Sequence, residues 1–293
     1  MFNARRIVTG FGVAGLVWVC TIGGRSAEPS GRMVFDIPGR SDATPSVAAS
    51  GSFAAIVWGA SGDGKTDVFA ATSQNGGQTF GPAVQVNRVP GEARLGGELP
   101  PRVALAPVPG RSLPEVVVVW TARSTGTDIK LATSPDGGKT FSAPVVLQSR
   151  KAAGDRGWPA VAVDARAGVH AIWLDHRGLA TRDRADVTPR RHNRGREHDG
   201  VAVAQKSSVY YASVSSEPAP ERALAPGVCY CCKTALAAGT NGSLYAAWRH
   251  VFPGNLRDMA FTMSTDGGRS FGPRSASAGT DGRLMGAPTM ALQ

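Results

Sequence analysis

Three cysteines within four residues are the most reactive side chains of this chain: Cys229, Cys231 and Cys232. Thiolates bind copper(I) and zinc, whereas two neighbouring thiols can instead form a disulfide. On an extended strand, Cys229 and Cys231 would point to one side and Cys232 to the other. The sequence leaves three interpretations open, namely a metal site, a disulfide (including a vicinal Cys231–Cys232 bond) and inert burial.

His250 is the histidine that we group with these cysteines as a metal or disulfide-site candidate. A neutral imidazole is a common ligand of copper and zinc, so either metal is the cofactor that such a cluster would take. The histidines of the segment HNRGREH (192–198) do not follow a standard zinc spacing. The metal interpretation therefore depends on the cysteines.

Arginine carries most of the net charge of +10. We take Arg156, Arg177, Arg249 and Arg257 as candidate ligand-binding residues, because a guanidinium group binds carboxylate or phosphate through paired hydrogen bonds. Residues 174–200 form a basic insertion with seven arginines. An anionic glycan or an acidic protein is the partner that these residues favour, and a solvated surface loop is the alternative for the insertion.

Residues 1–27 have the features of an export signal. Arg5 and Arg6 precede an apolar run, Ile7 to Gly24, and Ser26-Ala27 offers a small-residue cleavage site. An uncleaved membrane anchor is the alternative, since the run is near the lower limit for a span. We expect a periplasmic or secreted protein with no membrane span after signal removal. Nucleic acid is then not an expected partner.

Three eight-residue segments repeat one pattern: SQNGGQTF at 73–80, SPDGGKTF at 134–141 and STDGGRSF at 264–271. The aspartate or asparagine side chain of such a turn accepts nearby backbone N–H groups, and its glycines take positive φ. We therefore predict a structural role for these positions: Ser73, Asn75, Gly77, Phe80, Ser134, Asp136, Gly138, Phe141, Ser264, Asp266, Gly268 and Phe271.

A second repeat lies upstream of each eight-residue segment. The segments PSVAA, PRVAL, PAVAV, CKTAL and PTMAL start at 45, 101, 159, 232 and 288, and the first four are followed by runs that reach Trp58, Trp120, Trp173 and Trp248. Short apolar runs bounded by glycine and proline are typical of strands. One unit thus holds four strands, and a period in the fifties with four strands predicts a propeller blade.

The repeated S-x-D-x-G-x-T-F segment resembles the Asp-box of the sialidase-like (BNR-repeat) β-propellers. The stretch from PGVCYCCKTALA to YAAWRHVFPGNLRDMAF is similar to a group of exported bacterial sialidase-like proteins. The repeats together with the resemblance predict an all-β propeller over 28–293 with four full four-stranded blades and one extra strand. A shortened six-bladed type is favoured, and the alternatives are closure of a four-bladed ring by residues 288–293 and association of copies. The blades are expected at about 41–90, 98–149, 156–222 and 229–279, and a further blade would start at 285–293.

The resemblance also implies a comparison with sialidases, which hold the substrate carboxylate with an arginine triad. Their first arginine belongs to an early F/Y-R-I-P element, and the corresponding stretch here has Asp36 in that position. We therefore expect a non-catalytic ligand, glycan or metal-binding module. An exo-α-sialidase-type glycoside hydrolase acting on acidic glycans is the alternative, and an assembly scaffold is the third possibility. Whether the chain is an enzyme stays open.

Blade topology separates the two groups of residues. Strands of a blade alternate in direction, so the loops after strand three share one end of the propeller. The loops between strands two and three, and those entering each new blade, lie at the other end. We predict that the cysteines and the four candidate arginines lie at this second end, away from the eight-residue repeats.

Overall fold

A computed structural model describes residues 33–149, 153–179, 197–214, 221–252 and 255–276. All described strands belong to the compact unit that begins at Phe35. The strands are β1 (Ser41–Ser50), β2 (Phe53–Gly62), β3 (Lys65–Ser73), β4 (Val84–Gln85), β5 (Arg102–Ala106), β6 (Glu115–Arg123), β7 (Thr127–Ser134), β8 (Val145–Val146), β9 (Arg156–Val163), β10 (Val169–Asp175), β11 (Ser208–Val214), β12 (Arg222–Pro226), β13 (Thr234–Ala238), β14 (Leu244–Phe252), β15 (Leu256–Ser264) and β16 (Ser275–Ala276).

These strands form four-stranded antiparallel sheets in which each strand pairs with the next one along the chain. The first sheet contains β1–β4, the second β5–β8, the third β9–β12 and the fourth β13–β16. The first strands of successive sheets lie side by side, β1 against β5, β5 against β9 and β9 against β13. The predicted all-β fold of four-stranded propeller blades is confirmed.

Apolar layers between successive sheets form the core. Each layer joins one face of a sheet to the face of the next sheet that carries the strand-two tryptophan, as with Trp120, Trp173 and Trp248. The run Val116 to Trp120 is completely buried on both faces of its sheet. This double burial explains why the strand-two segments are continuously apolar rather than alternating.

The fourth strand of a sheet is shorter than the sequence suggests, because side chains replace part of its backbone. Strand β4 is Val84–Gln85, and after the Val86 N–H has donated to the Val68 carbonyl at 2.8 Å, Asn87 Oδ1 accepts the Val68 N–H, also at 2.8 Å. The Asn87 amide donates in turn to Asp67, at 2.7 Å. Gln148 and Asp128 repeat both interactions in the second sheet. A carboxylate before the eight-residue repeat thus fixes the outer edge of these two sheets.

One helix, α1 (Glu197–Gln205), lies in the segment predicted as a basic insertion. Ala204 of α1 is completely buried and packs against Cys229 and Val251. The Gln205 amide donates to the Val251 carbonyl at 3.4 Å. The helix therefore forms one wall of the cysteine site.

Several predicted segments lie outside the described residues: the export signal at 1–27, the strand at 285–293 and residues 180–196 of the insertion. Within the part of the chain that the structure describes, no helix has the length and apolar character needed to cross a membrane.

The eight-residue repeats share one hydrogen-bond pattern. Ser134 Oγ donates to Asp136 Oδ1 and accepts the Gly138 N–H, both at 2.7 Å, and the corresponding serines of the other repeats do the same. The six glycines of these loops have φ between 70° and 89°. The terminal aromatic residue then packs inward: Phe80 on Phe35, Phe141 in the layer between the first and second sheets, and Phe271 on Tyr211.

Asp136→Asn should make the free energy of unfolding less dependent on pH in the acidic range. Burial opposes ionisation of this carboxyl, but hydrogen bonds from Thr140 and Ser134 outweigh it and lower its pKa from 3.8 to about 2. The stabilisation is therefore present above pH 3.8 and is lost as the pH falls toward 2. Asn75 accepts the equivalent backbone N–H in the first repeat, at 2.9 Å, so asparagine should preserve the turn.

Urea unfolding of the wild type and of Asp136→Asn between pH 6 and pH 3 measures this difference. The two midpoints should converge as the solution is acidified, because the wild type loses an ionised acceptor that the variant lacks. A constant difference between the midpoints would show that the charge of Asp136 does not stabilise the loop.

Candidate metal centre

A turn at the entrance to the fourth sheet brings the three cysteine sulfurs together. Gly227 has φ +75°, and Val228 forms an isolated bridge with His250. The Cys229 N–H donates to the Arg249 carbonyl at 2.9 Å, and the chain then turns so that the Cys232 N–H faces the Cys229 carbonyl at 3.4 Å. The segment is not an extended strand, and the expectation that Cys232 points away from the other two cysteines is wrong.

The sulfur atoms lie within contact distance of one another. Cys229 Sγ is 2.8 Å from Cys232 Sγ and 3.8 Å from Cys231 Sγ. All three are free thiols, and exposure increases from the buried Cys229 through Cys232 to the exposed Cys231. Within the described residues they are the group whose donor atoms all lie within 4.8 Å, so they could hold a metal ion.

Two arginines face the sulfur atoms. Arg249 Nη1 lies 3.9 Å from Cys232 Sγ, and Arg257 Nη1 lies 3.9 Å from Cys229 Sγ. Hydrogen bonding from Cys231, with a smaller contribution from Cys232 and the charge of Arg257, lowers the pKa of Cys229 below its ordinary value. The hydrogen bond with Cys229 raises the pKa of Cys231, and burial raises the pKa of Cys232. Cys229 is therefore the thiol whose ionisation the surrounding groups favour.

His250 lies near this cluster but is not a member of it. The group of mutually close donor atoms in the described residues contains the three sulfurs and no imidazole nitrogen. The buried His250 ring accepts the Trp248 indole N–H at 3.5 Å and packs on Phe252. Burial and the charge of Arg274 lower its pKa to about 4, so the ring is neutral near pH 7.

Arg156 and Arg177, two of the candidate ligand-binding residues, are held by carboxylates of the protein. Arg156 Nε lies 3.2 Å from Asp175 Oδ2, with both side chains almost completely buried. Arg177 donates to Asp175 at 2.8 Å and to Glu221 at 3.1 Å, and its guanidinium lies 3.9 Å from the centre of the Tyr210 ring. Although burial opposes ionisation, the hydrogen bonds from Arg177 and the charge of Arg156 lower the pKa of Asp175. The four candidate arginines therefore do not form one cluster.

Asp175 and Tyr230 are residues of this end of the propeller that the sequence did not single out. Asp175 is the last residue of β10 and directly precedes His176 and Arg177. An acidic residue at the end of the apolar run of strand two is the sequence feature that could have identified it. Tyr230 lies between the cysteines, and its ring centre is 6.5 Å from that of His176. No sequence pattern indicated the contact between Tyr230 and His176, because it joins loops of two different sheets.

No protein-family model matches the chain, and no curated protein matches it. Among solved structures, a Dyadobacter fermentans protein of unknown function aligns over 83% of this chain and 71% of its own, with 12% identity and a TM-score of 0.51. A Penicillium chrysogenum alpha-L-arabinanase complexed with arabinobiose aligns over 83% and 68%, with 14% identity and a TM-score of 0.50. A Hadza microbial sialidase aligns over 71% and 45%, with 14% identity and a TM-score of 0.43. The chain shares the β-propeller fold of known glycoside hydrolases.

Proposed function

We propose that the protein is a propeller-based copper(I)-binding protein whose ligands are Cys229, Cys231 and Cys232. The observation that carries this proposal is the convergence of the three sulfurs within 4.8 Å. Copper(I) prefers soft thiolate ligands. The sequence predicts an exported protein. In an oxidising compartment one disulfide would leave one of the three thiols unpaired, whereas metal ligation uses all three.

The number of donors favours copper(I) over zinc. Structural zinc sites are almost always four-coordinate, with about 2.3 Å between the metal and each sulfur. Among the described residues the cluster offers three sulfurs, and the His250 ring contacts Trp248 and Phe252 instead. The 3.8 Å separation between Cys229 Sγ and Cys231 Sγ already suits two ligands of one ion. Cys229 Sγ and Cys232 Sγ are 2.8 Å apart and would separate when an ion replaces the proton between them.

The charge of the surroundings favours a monovalent ion. Three thiolates carry three negative charges, and the guanidinium groups of Arg249 and Arg257 supply two positive charges at 3.9 Å from the sulfurs. One copper(I) ion brings the sum to zero, whereas one zinc ion leaves a net positive charge. Because Cys229 is buried and the site is partly desolvated, a neutral total is the less costly arrangement.

The other functions considered from the sequence have less support in the geometry. An anionic glycan, as in a glycan-binding module or a sialidase-type hydrolase, would have to compete with Asp175 for Arg156 and Arg177. Arg249 and Arg257 face sulfur atoms, so we assign them to the metal centre rather than to a sugar. An assembly scaffold would not require the three thiols to converge.

Competition titration of the reduced full chain under anaerobic conditions tests the proposal. We expect one copper(I) ion per chain to be withdrawn from a chromophoric copper(I) chelator, and zinc to be bound much more weakly. Arg257→Gln should reduce the copper(I) affinity by roughly tenfold, the lower end for a residue that supports ligands. Arg111→Gln, an exposed arginine whose guanidinium bonds to the Pro135 carbonyl, is the matched control and should change nothing. Failure of the chain to retain copper(I) would refute the function.

A further inference from the structure

Cys229 and Cys232 form the closer pair within the three-cysteine cluster. They have the spacing Cys-x-x-Cys, and the turn between them places the Cys232 nitrogen 3.4 Å from the Cys229 carbonyl oxygen. Their sulfur atoms are 2.8 Å apart, and the Cys232 thiol donates to Cys229 Sγ. Because a disulfide bond measures about 2.0 Å, a movement of less than about 1 Å would join the two sulfurs.

Cys231 is less well placed for a disulfide with either neighbour. Its Sγ lies 3.8 Å from Cys229 Sγ, so this pair would need roughly twice the movement. A bond between Cys231 and Cys232 would join adjacent residues, whose Cα atoms are about 3.8 Å apart across a trans peptide, closer than the usual minimum of about 4.4 Å for a disulfide. The geometry therefore favours the Cys229–Cys232 bond and leaves Cys231 as a thiol.

The surroundings of Cys229 and Cys232 suit a disulfide. Cys229 lies in an apolar cluster with Ala204 and Val251, and Cys232 packs against the same cluster. Cys231, in contrast, is exposed. A disulfide is uncharged, so burying it among apolar side chains costs less than burying two thiolates there.

We propose that Cys229 and Cys232 are a redox modification site, which a low-molecular-weight disulfide oxidises to one intramolecular disulfide that closes the copper(I) centre. Cys232 is more accessible than the buried Cys229, so its sulfur attacks the external disulfide, forms a mixed disulfide and releases one thiolate. Cys229 then attacks Cys232 Sγ, and the second external thiolate leaves. The protons of the two cysteines pass to the released thiolates, so one external disulfide is reduced to two thiols.

The disulfide and bound copper(I) exclude each other at this site. The thiolate is the form of cysteine that binds a metal, and a sulfur already bonded to another sulfur does not provide one. Oxidation of the pair leaves Cys231 as the remaining thiol donor of the cluster. This control of copper binding rests on the proposed function, whereas formation of the Cys229–Cys232 bond does not.

Exposure of the folded, metal-free full chain to glutathione disulfide tests the bond. Electrospray mass after unfolding and alkylation counts the remaining thiols and detects glutathione adducts. We expect the wild type, Cys231→Ser and Cys20→Ser each to lose a pair of thiols without an adduct, because all three keep Cys229 and Cys232. Cys232→Ser should form no intramolecular disulfide, and dithiothreitol should restore the lost thiols.

Copper(I) titration of the oxidised wild type, under anaerobic conditions and without a thiol reductant, tests the control of binding. We expect the affinity to fall by roughly four orders of magnitude relative to the reduced chain. Two of the three ligands are lost, and each accounts for about two orders of magnitude in Kd.

The outcomes separate this inference from the proposed function. Retention of all thiols in the wild type, or in Cys231→Ser, would overturn the redox site even if the reduced chain binds copper(I). Equal copper(I) affinity of the oxidised and the reduced chain would overturn the control of binding. If the reduced chain binds no copper(I) but still forms the Cys229–Cys232 bond, the proposed function is wrong and the redox site stands.

Discussion

Replacing Cys229 by serine should lower the copper(I) affinity of the reduced protein by about two orders of magnitude. Structural zinc sites contribute about 10–16 kcal/mol, and on that scale one of three ligands accounts for at least about 3 kcal/mol, or roughly a hundredfold in Kd. Cys229 Sγ accepts from the Cys232 thiol and shares a hydrogen bond with the Cys231 thiol. Its loss should therefore separate the remaining thiols as well as remove one ligand.

Cys231→Ser separates ligation from folding in this experiment. Cys229 is buried against Ala204 and Val251, so its replacement also disturbs packing, whereas Cys231 is exposed. We expect Cys231→Ser to weaken copper(I) binding to a similar extent while the urea midpoint of the metal-free protein stays that of the wild type. If Cys231→Ser keeps full affinity, the exposed thiol is not a ligand and the three-sulfur centre is incorrect.

Asp175→Ala should destabilise the protein by about 3–5 kcal/mol, the cost of leaving a buried charge without its partner. The Asp175 carboxylate accepts from Arg156, Arg177 and the Trp173 indole. Arg156 is 3% exposed in its side chain and cannot move into solvent without opening the layer between sheets. Urea unfolding of the metal-free chain measures the change.

Glu98→Ala is the matched control for Asp175→Ala. Glu98 forms an ion pair with Lys233 at 3.3 Å, but the two side chains are 71% and 51% exposed. Exposed pairs contribute about 0–1 kcal/mol, so this variant should unfold close to the wild type. Equal effects of the two substitutions would mean that the buried network around Asp175 has no special role in stability.

The sheets and the repeated loops were predictable because their signals are local. Glycine pairs, the serine and the aspartate of SPDGGKTF act within eight residues, and Asp136 does accept the Thr140 N–H. The strand-two runs that end in tryptophan are apolar throughout, because neighbouring sheets cover both of their faces. Such runs can be recognised from the sequence alone. The short fourth strands were not predictable, because Asn87 and Gln148 replace backbone through contacts made across the sheet.

The site was predictable in composition but not in geometry. The cysteines and Arg257 were identified as candidates, yet the turn that unites the sulfurs depends on Val228 pairing with His250, a residue of the next strand pair. The sequence also grouped Arg156 and Arg177 with Arg249. Their separation follows from Asp175, whose side chain reaches both guanidinium groups only once β9 and β10 have paired.

X-ray absorption at the copper edge of the copper(I)-loaded full chain distinguishes sulfur ligands from nitrogen ligands. We expect a shell of three sulfur atoms from one chain, with no nitrogen from His250, and a sulfur number that falls by one in Cys231→Ser. Nitrogen ligation, or an unchanged sulfur shell in that variant, would contradict the assignment of Cys229, Cys231 and Cys232 as a copper(I) centre.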